Sequence, residues 1–376
     1  MEITSVDAAH LGGNSAVVRV RTDEGVTGYG EGVVEALPHA TVAVVERLGS
    51  NYLEGRDPSP VVKHRRRMED AVWYKSGTIV AAAVTGIEQA LWDVKGKALG
   101  VPVHSLLGGP VRDRVRVYEW IGENVDRSSL AAEAEAQVER GFDAMKFSPT
   151  PTDPSSYPQV VDECRETVRE VREAVGPDVD IMLDPARRFK LAEAKEVIEA
   201  VAEFDPLFAE DFISSEHVPA VEKLADSVSV PVALGAEFTN LAEFEPVIQR
   251  DAAAVLQPDV CHSGGVLEMT RIAAAGEHHG MRLAPHNPQG PVATAAAIHT
   301  DLAVPNFLIQ EFQGTDPGPA EEYVHVPWLE VENGRVEAPE NPGLGVEVDD
   351  VVFEADVDVP EAPLYVDTDD FHVPEW

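Results

Sequence analysis

Short apolar runs in the second half of the chain each end on a polar residue able to do chemistry. Asp184 follows DIML, Glu210 follows PLFA, Glu237 closes VPVALGA, Asp259 follows AAVLQP, His286 follows MRLAP and Glu311 follows NFLIQ. They recur every 22 to 27 positions, about one strand plus one crossover helix with its loops. The spacing predicts a parallel β/α barrel, whose strands all end on one face, so that residues far apart in sequence share one pocket. Two earlier runs, VRVYEW at 115 to 120 and DAMKF at 143 to 147, bring the strands to eight, the number that closes such a barrel. Between strands lie amphipathic stretches such as QVVDECRETVREVREAV, where Val160, Cys164, Val168, Val171 and Val175 form one stripe. Cys164 is therefore read as core.

Upstream, SAVVRVRT at 15 to 22 alternates apolar and polar positions, and Asp23, Glu24 and Gly25 then turn the chain into VTGYGEG, a β-hairpin pattern. Gly28, Gly30 and Gly32 fit strand geometry better than a phosphate loop, because no buried strand leads through them directly into a helix. Helical patterns follow near 39 to 48, 58 to 72 and 78 to 98. The expected organisation is an α+β unit over 1–112, a barrel over 113–320, and a C-terminal segment, 321–376, that folds back on the first unit.

Asp184 and Glu210 with a third carboxylate, Glu237, supply hard oxygen donors, which suit Mg²⁺ better than zinc because no Cys or His cluster competes. His286, in APHNP, and Asp259, in QPDV, close adjacent strands. That placement lets the carboxylate fix one ring nitrogen while the other faces a substrate as base. Glu311, in a dry pocket, is expected to gain proton affinity and donate a hydrogen bond to a substrate oxygen. Lys146, closing the second strand, is placed across the pocket from His286, or in a salt bridge to a carboxylate. The basic run from Lys63 to Arg67 reads as ion-pairing, His278 and His279 as surface, and Trp73 with Tyr74 as a lid.

The balance of 67 acidic to 29 basic residues, net −38, argues against nucleic acid and anionic membrane as partners. Charge spread over most helices predicts a surface adapted to high salt. The unfolding midpoint is therefore expected to fall as KCl drops from molar to millimolar, and a constant midpoint would contradict this. Two cysteines make no disulfide framework, no signal peptide pattern opens the chain, and no apolar stretch approaches the roughly 20 residues that span a bilayer. The expected compartment is the cytoplasm.

The segments TDEGVTGYGEG, GIEQALWDVKGKALGVPVHSLLGG, QPDVCHSGGVLEMTRIAAAGEHHG, APHNPQGPVATAAAIH and PNFLIQE resemble the mandelate racemase branch of the enolase superfamily, and within it sugar-acid dehydratases of the galactonate type. The resemblance runs nearly end to end, to Trp376. It implies a modified TIM barrel with an α+β capping domain, Mg²⁺, a sugar-acid carboxylate as substrate and a homo-oligomer. By position it makes Asp184 and Glu210 metal ligands, His286 with Asp259 the basic dyad, and Glu311 the acid that binds the substrate carboxylate. Two positions depart. A second His of close relatives is replaced by Ala186 in Asp184-Pro185-Ala186-Arg187-Arg188, and Ala236 stands where the third ligand belongs, with Glu237 one residue later. The reaction expected is dehydration of an aldonate to a 2-keto-3-deoxy acid. The alternatives are racemisation or epimerisation of an α-hydroxy acid, and a paralogue that binds a sugar acid or a partner without turnover.

Overall fold

The computed structural model describes residues 1–74, 77–122, 127–151, 157–312 and 322–354. A three-stranded antiparallel sheet opens the chain: β1 (Ile3–His10), β2 (Ser15–Thr22) and β3 (Thr27–Val33). Against it pack α1 (Pro38–Leu48) and the long α3 (Thr78–Leu99), and α2 (Val61–Asp70) packs on α3. A side-chain carbon at Gly28, Gly30 or Gly32 would collide with the carbonyl oxygens of Ala90, Gly86 and Ala82, so the three glycines let β3 lie directly on α3. Helix α3 is buried all round from Ala82 to Val94, since it sits between this sheet and the second domain. Its polar residues Glu88, Gln89 and Asp93 are buried too, and each is hydrogen-bonded.

After α4 (Val103–Leu106) come eight parallel strands: β4 (Arg114–Ile121), β5 (Ala144–Phe147), β6 (Asp180–Leu183), β7 (Phe208–Glu210), β8 (Val232–Leu234), β9 (Val255–Leu256), β10 (Arg282–Leu283) and β11 (Gln310–Phe312). Their order is β10-β9-β8-β7-β6-β5-β4-β11, and Leu283 bridges Phe307 just ahead of β11, which closes the ring. Tyr118, Ala144, Met182, Phe208, Ala233, Val255, Ala284 and Ile309, one from each strand or its end, fill the interior as a packed layer. Helices α5 (Arg127–Glu139), α6 (Tyr157–Val175), α7 (Leu191–Val201), α8 (Val218–Ala225), α9 (Leu241–Gln249), α10 (Gly265–His278) and α11 (Pro291–Asp301) fill the crossovers. On α6, Val160, Cys164, Val168 and Val171 are at most 1% exposed, so the apolar stripe is its inner face.

Residues 322–354 bind both units. Arg19 and Arg21 pair with Asp350, Tyr29 donates to the Val348 carbonyl, and β13 (Arg335–Glu337) runs antiparallel to β4. Strands β12 (Val324–His325) and β14 (Glu347–Val348) pair with each other. Trp376, and Lys75 and Ser76 in the expected lid, lie outside the described residues; Trp73 and Tyr74 are 94% and 82% exposed. In the basic run, Arg65 pairs with Glu69 and with Glu268 of α10, and Arg66 with Glu69 and Asp70. No described helix is long and apolar enough to cross a membrane.

Candidate active site

Strand alternation turns Lys146 and Glu210 inward at the C-terminal rim of the barrel, where Asp184 and Glu311 join them. The Lys146 ammonium, 1% exposed, lies 2.8 and 2.9 Å from the two Glu210 oxygens, 2.9 Å from Glu311 Oε1 and 3.9 Å from Asp184 Oδ2. Gln257 Nε2 donates to Glu210 Oε2 at 2.6 Å, and Ala186 N donates to Asp184 Oδ1 at 2.7 Å. Burial works against a charge on Lys146, but Glu210 and Glu311 outweigh it and hold its pKa well above the ordinary value. Burial raises Glu210 and Asp184 despite the lysine.

Glu311 differs from the sequence expectation. Burial pushes its pKa up, but Lys146, His286 and the Asn287 N–H at 2.9 Å pull harder, so it falls below the usual carboxylate value. In the ligand-free protein it is an acceptor, because a cation the apolar pattern does not reveal sits beside it.

Asp259 and His286 bridge as neighbours at the ends of β9 and β10, with His286 Nδ1 2.9 Å from Asp259 Oδ2. Asp259 is fully buried and accepts from Gln289 Nε2 at 2.9 Å and Cys261 N at 2.6 Å. Burial raises its pKa, yet His262, His286 and Gln289 bring it down to about 2. Burial lowers His286, yet the Asp259 bond and Glu311 lift it to about 9. Linkage fixes the pH dependence of stability. The His286 contribution is complete below its ordinary 6.5 and is lost as pH rises through about 9. The Asp259 contribution is present above 3.8 and is lost as pH falls through about 2. The unfolding midpoint of the metal-free protein is therefore expected to fall between pH 6.5 and 10, and His286→Asn is expected to flatten that alkaline limb. Identical limbs in the two proteins would contradict the pairing.

The departing positions form a second group. Ala186 and Arg187 adopt left-handed φ of 51° and 65°, and Asp211 one of 43°. Glu237 pairs with Arg187, accepts from Ser215 Oγ at 3.1 Å and leaves its side chain 44% exposed. It therefore does not complete a carboxylate cluster with Asp184 and Glu210. The reason is local: Gly235 at φ 125° ends the pleat after Leu234, so loop conformation sets the direction of residue 237. Sequence reasoning missed Gln257 and Gln289, and noted Asp211 only as a change from the Glu-Glu-Pro of relatives. Gln257 was within reach, because it lies two positions before Asp259 on the same strand end. Asp211 is buried with Oδ1 lacking a partner, and burial with Glu210 pushes it up to about 7.

Among the described residues no three His, Cys, Asp or Glu are arranged to hold a metal ion. Two carboxylates, the buried Glu210 and the half-buried Asp184, converge on one cation, and Gln257 Oε1 and Asp211 Oδ1 are buried oxygens without partners. Oxygen donors of this kind suit a hard dication, and Mg²⁺ is commonly held by one or two carboxylates with water and substrate filling the other positions. The residues fit such an ion with two protein ligands.

A closed eight-stranded barrel under an α+β cap, with carboxylates, a lysine and a His–Asp pair at its rim, places the protein among the capped β/α-barrel enzymes. Residues 1–108 match the mandelate racemase / muconate lactonizing enzyme N-terminal domain and residues 129–352 the enolase C-terminal domain-like family, so the chain belongs to this branch of the enolase superfamily. D-Galactonate dehydratases from Ralstonia pickettii and Xanthomonas oryzae pv. oryzae are 36% and 35% identical to it, over 96% and 93% of each chain. A crystal structure of a putative galactarate dehydratase from Agrobacterium radiobacter, bound to sodium and L-malate, superposes with a TM-score of 0.87 at 32% identity over 94% of each chain.

Proposed function

We propose that this protein is a hydro-lyase that dehydrates a sugar acid, an aldonate, to a 2-keto-3-deoxy acid. The observation that carries the reading is the His286–Asp259 pair at the same rim as the Lys146, Glu210 and Glu311 cluster, in a chain about 35% identical to D-galactonate dehydratases.

With Nδ1 held by Asp259, the neutral form of His286, which gains population as pH rises toward about 9, has Nε2 left to take the proton beside the substrate carboxylate. Asp259 keeps the ring oriented and stabilises the imidazolium that results. Lys146 and Glu311 bracket the carboxylate end, the ammonium offsetting negative charge there. With Ala at 186, His286 returns its proton to the departing β-hydroxyl, so one imidazole acts as base and then acid. Members of the superfamily generally use a divalent metal. Here Mg²⁺ would be held by Asp184 and Glu210, and when bound it would neutralise charge building on the substrate carboxylate.

Racemisation needs a second group to deliver or take a proton on the face opposite His286. The Lys146 ammonium is tied to Glu210 at 2.8 Å and Glu311 at 2.9 Å, which holds it from that task and favours dehydration. The test is a screen of aldonic acids with MgCl₂ in molar KCl, read for 2-keto acid; no product from any aldonate would remove the proposal.

If Ala236 occupies the missing ligand position, Ala236→Glu is expected to tighten Mg²⁺ binding by about tenfold or more in calorimetry, on the scale of other changes around metal sites. Glu237→Gln is expected to leave the affinity unchanged. The reverse pattern would make Glu237 the third ligand.

A further inference from the structure

Two buried side chains of the N-terminal unit reach the loops that carry the dyad, and the reaction derived above uses neither. Glu31, on β3, has no exposed surface. Its carboxylate accepts from Gly290 N at 3.1 Å, Ala293 N at 2.9 Å and Ser15 Oγ at 2.7 Å. Gly290 is the N-cap of α11 and has no side chain to satisfy the helix's first N–H groups, so Glu31 caps that helix from another domain. The fit leaves no slack, since a Cβ on Gly290 would lie 2.5 Å from Glu31 Oε1.

Gln89, on α3, is equally buried. It accepts from Glu31 N at 2.9 Å and donates to Glu31 O at 3.0 Å and to Val260 O at 2.8 Å. Val260 adjoins Asp259, and Gly290 lies four residues after His286. The stretch between is itself pinned: Asn287 Nδ2 donates to Thr294 Oγ1 at 2.9 Å and Gln289 Nε2 to Asp259 Oδ2 at 2.9 Å. Burying a carboxylate is costly. A Ser or Asp at position 290 would cap α11 locally, so what the cross-domain arrangement adds is the link itself.

We infer that Glu31 and Gln89 are positioning residues that set the geometry of the His286–Asp259 dyad by holding both of its loops to the N-terminal unit. The inference rests on the reading of that pair as the working base. Displacing a catalytic group by about 1 Å costs up to about 10²-fold in rate, so loosening either anchor falls mainly on kcat.

The test compares Glu31→Gln and Gln89→Ala with Asp93→Asn. Asp93 is also a buried carboxylate on backbone amides, Tyr29 N at 2.9 Å and Leu344 N at 2.8 Å, but it touches neither dyad loop. Each protein is read by unfolding midpoint, by kcat and KM on the sugar acid, and by ¹⁵N signals of labelled His286 in the free protein, assigned by their absence from His286→Asn. The expected result for Glu31→Gln and Gln89→Ala is kcat lower by about 10- to 100-fold, KM little changed and shifted or doubled His286 signals. Asp93→Asn is expected to lower the midpoint alone. His286 signals and kcat unmoved by the first two variants, or moved equally by Asp93→Asn, would overturn the inference. If the wild type turns over no sugar acid, the His286 signals alone decide, so failure of the reaction assignment stays separate from failure of this one.

Discussion

Replacing His286 with Asn is expected to lower kcat by about 10²- to 10⁴-fold, the range for a positioned general base, with KM and the folded state largely retained. Asn keeps a polar group able to face Asp259, which limits the cost of leaving that buried carboxylate short of a donor. The loss should lie toward the upper end if, as proposed, both proton transfers fall to His286, Ala186 leaving no histidine on the β6 loop. Asp259→Asn should follow it, since a neutral amide neither fixes the ring as firmly nor stabilises its charged form. Turnover by His286→Asn within a few-fold of wild type would assign the proton transfers elsewhere.

Lys146→Met is expected to produce the largest change in stability. The substitution removes the cation shared by Glu210, Glu311 and Asp184 and leaves carboxylates buried without it. Breaking a buried pair from one side costs about 3–5 kcal/mol. Each carboxylate then holds its proton more tightly when folded than when unfolded, so stability recovers as pH falls below its raised folded pKa. The variant should therefore lose more at pH 8 than at pH 5, and added Mg²⁺ should restore part of the loss in the metal-free protein. Unfolding curves at the two pH values, with and without MgCl₂, check this. A loss independent of pH and Mg²⁺ would mean that the lysine acts through packing alone.

The barrel was legible because its repeat is long and its strand ends carry polar residues. Asp184, Glu210, Asp259, His286 and Glu311 all lie at the rim where the ladder put them. Strand β1 escaped notice because Ile3, Val6 and Ala9 are buried every third residue, and a register shift between Ile3 and Ser5 breaks the two-residue alternation a strand shows in sequence. The ionisation of Glu311 and the direction of Glu237 were hidden for another reason. The first is decided by a partner distant in sequence, Lys146, and the second by the loop conformation that begins at Gly235 and lets Glu237 meet Arg187; neither leaves a periodic trace. The link from Glu31 to Gly290 is of the same kind, a contact across 259 positions.

The account turns on removal of the proton beside the carboxylate followed by loss of the neighbouring hydroxyl, both at His286. The direct measurement is turnover of the responsive aldonate in D₂O with MgCl₂ and molar KCl, followed by NMR. The expected product is a 2-keto-3-deoxy acid carrying one deuterium at C3, with no deuterium at C2 of recovered substrate. Deuterium at C2 of recovered substrate without loss of water would contradict it.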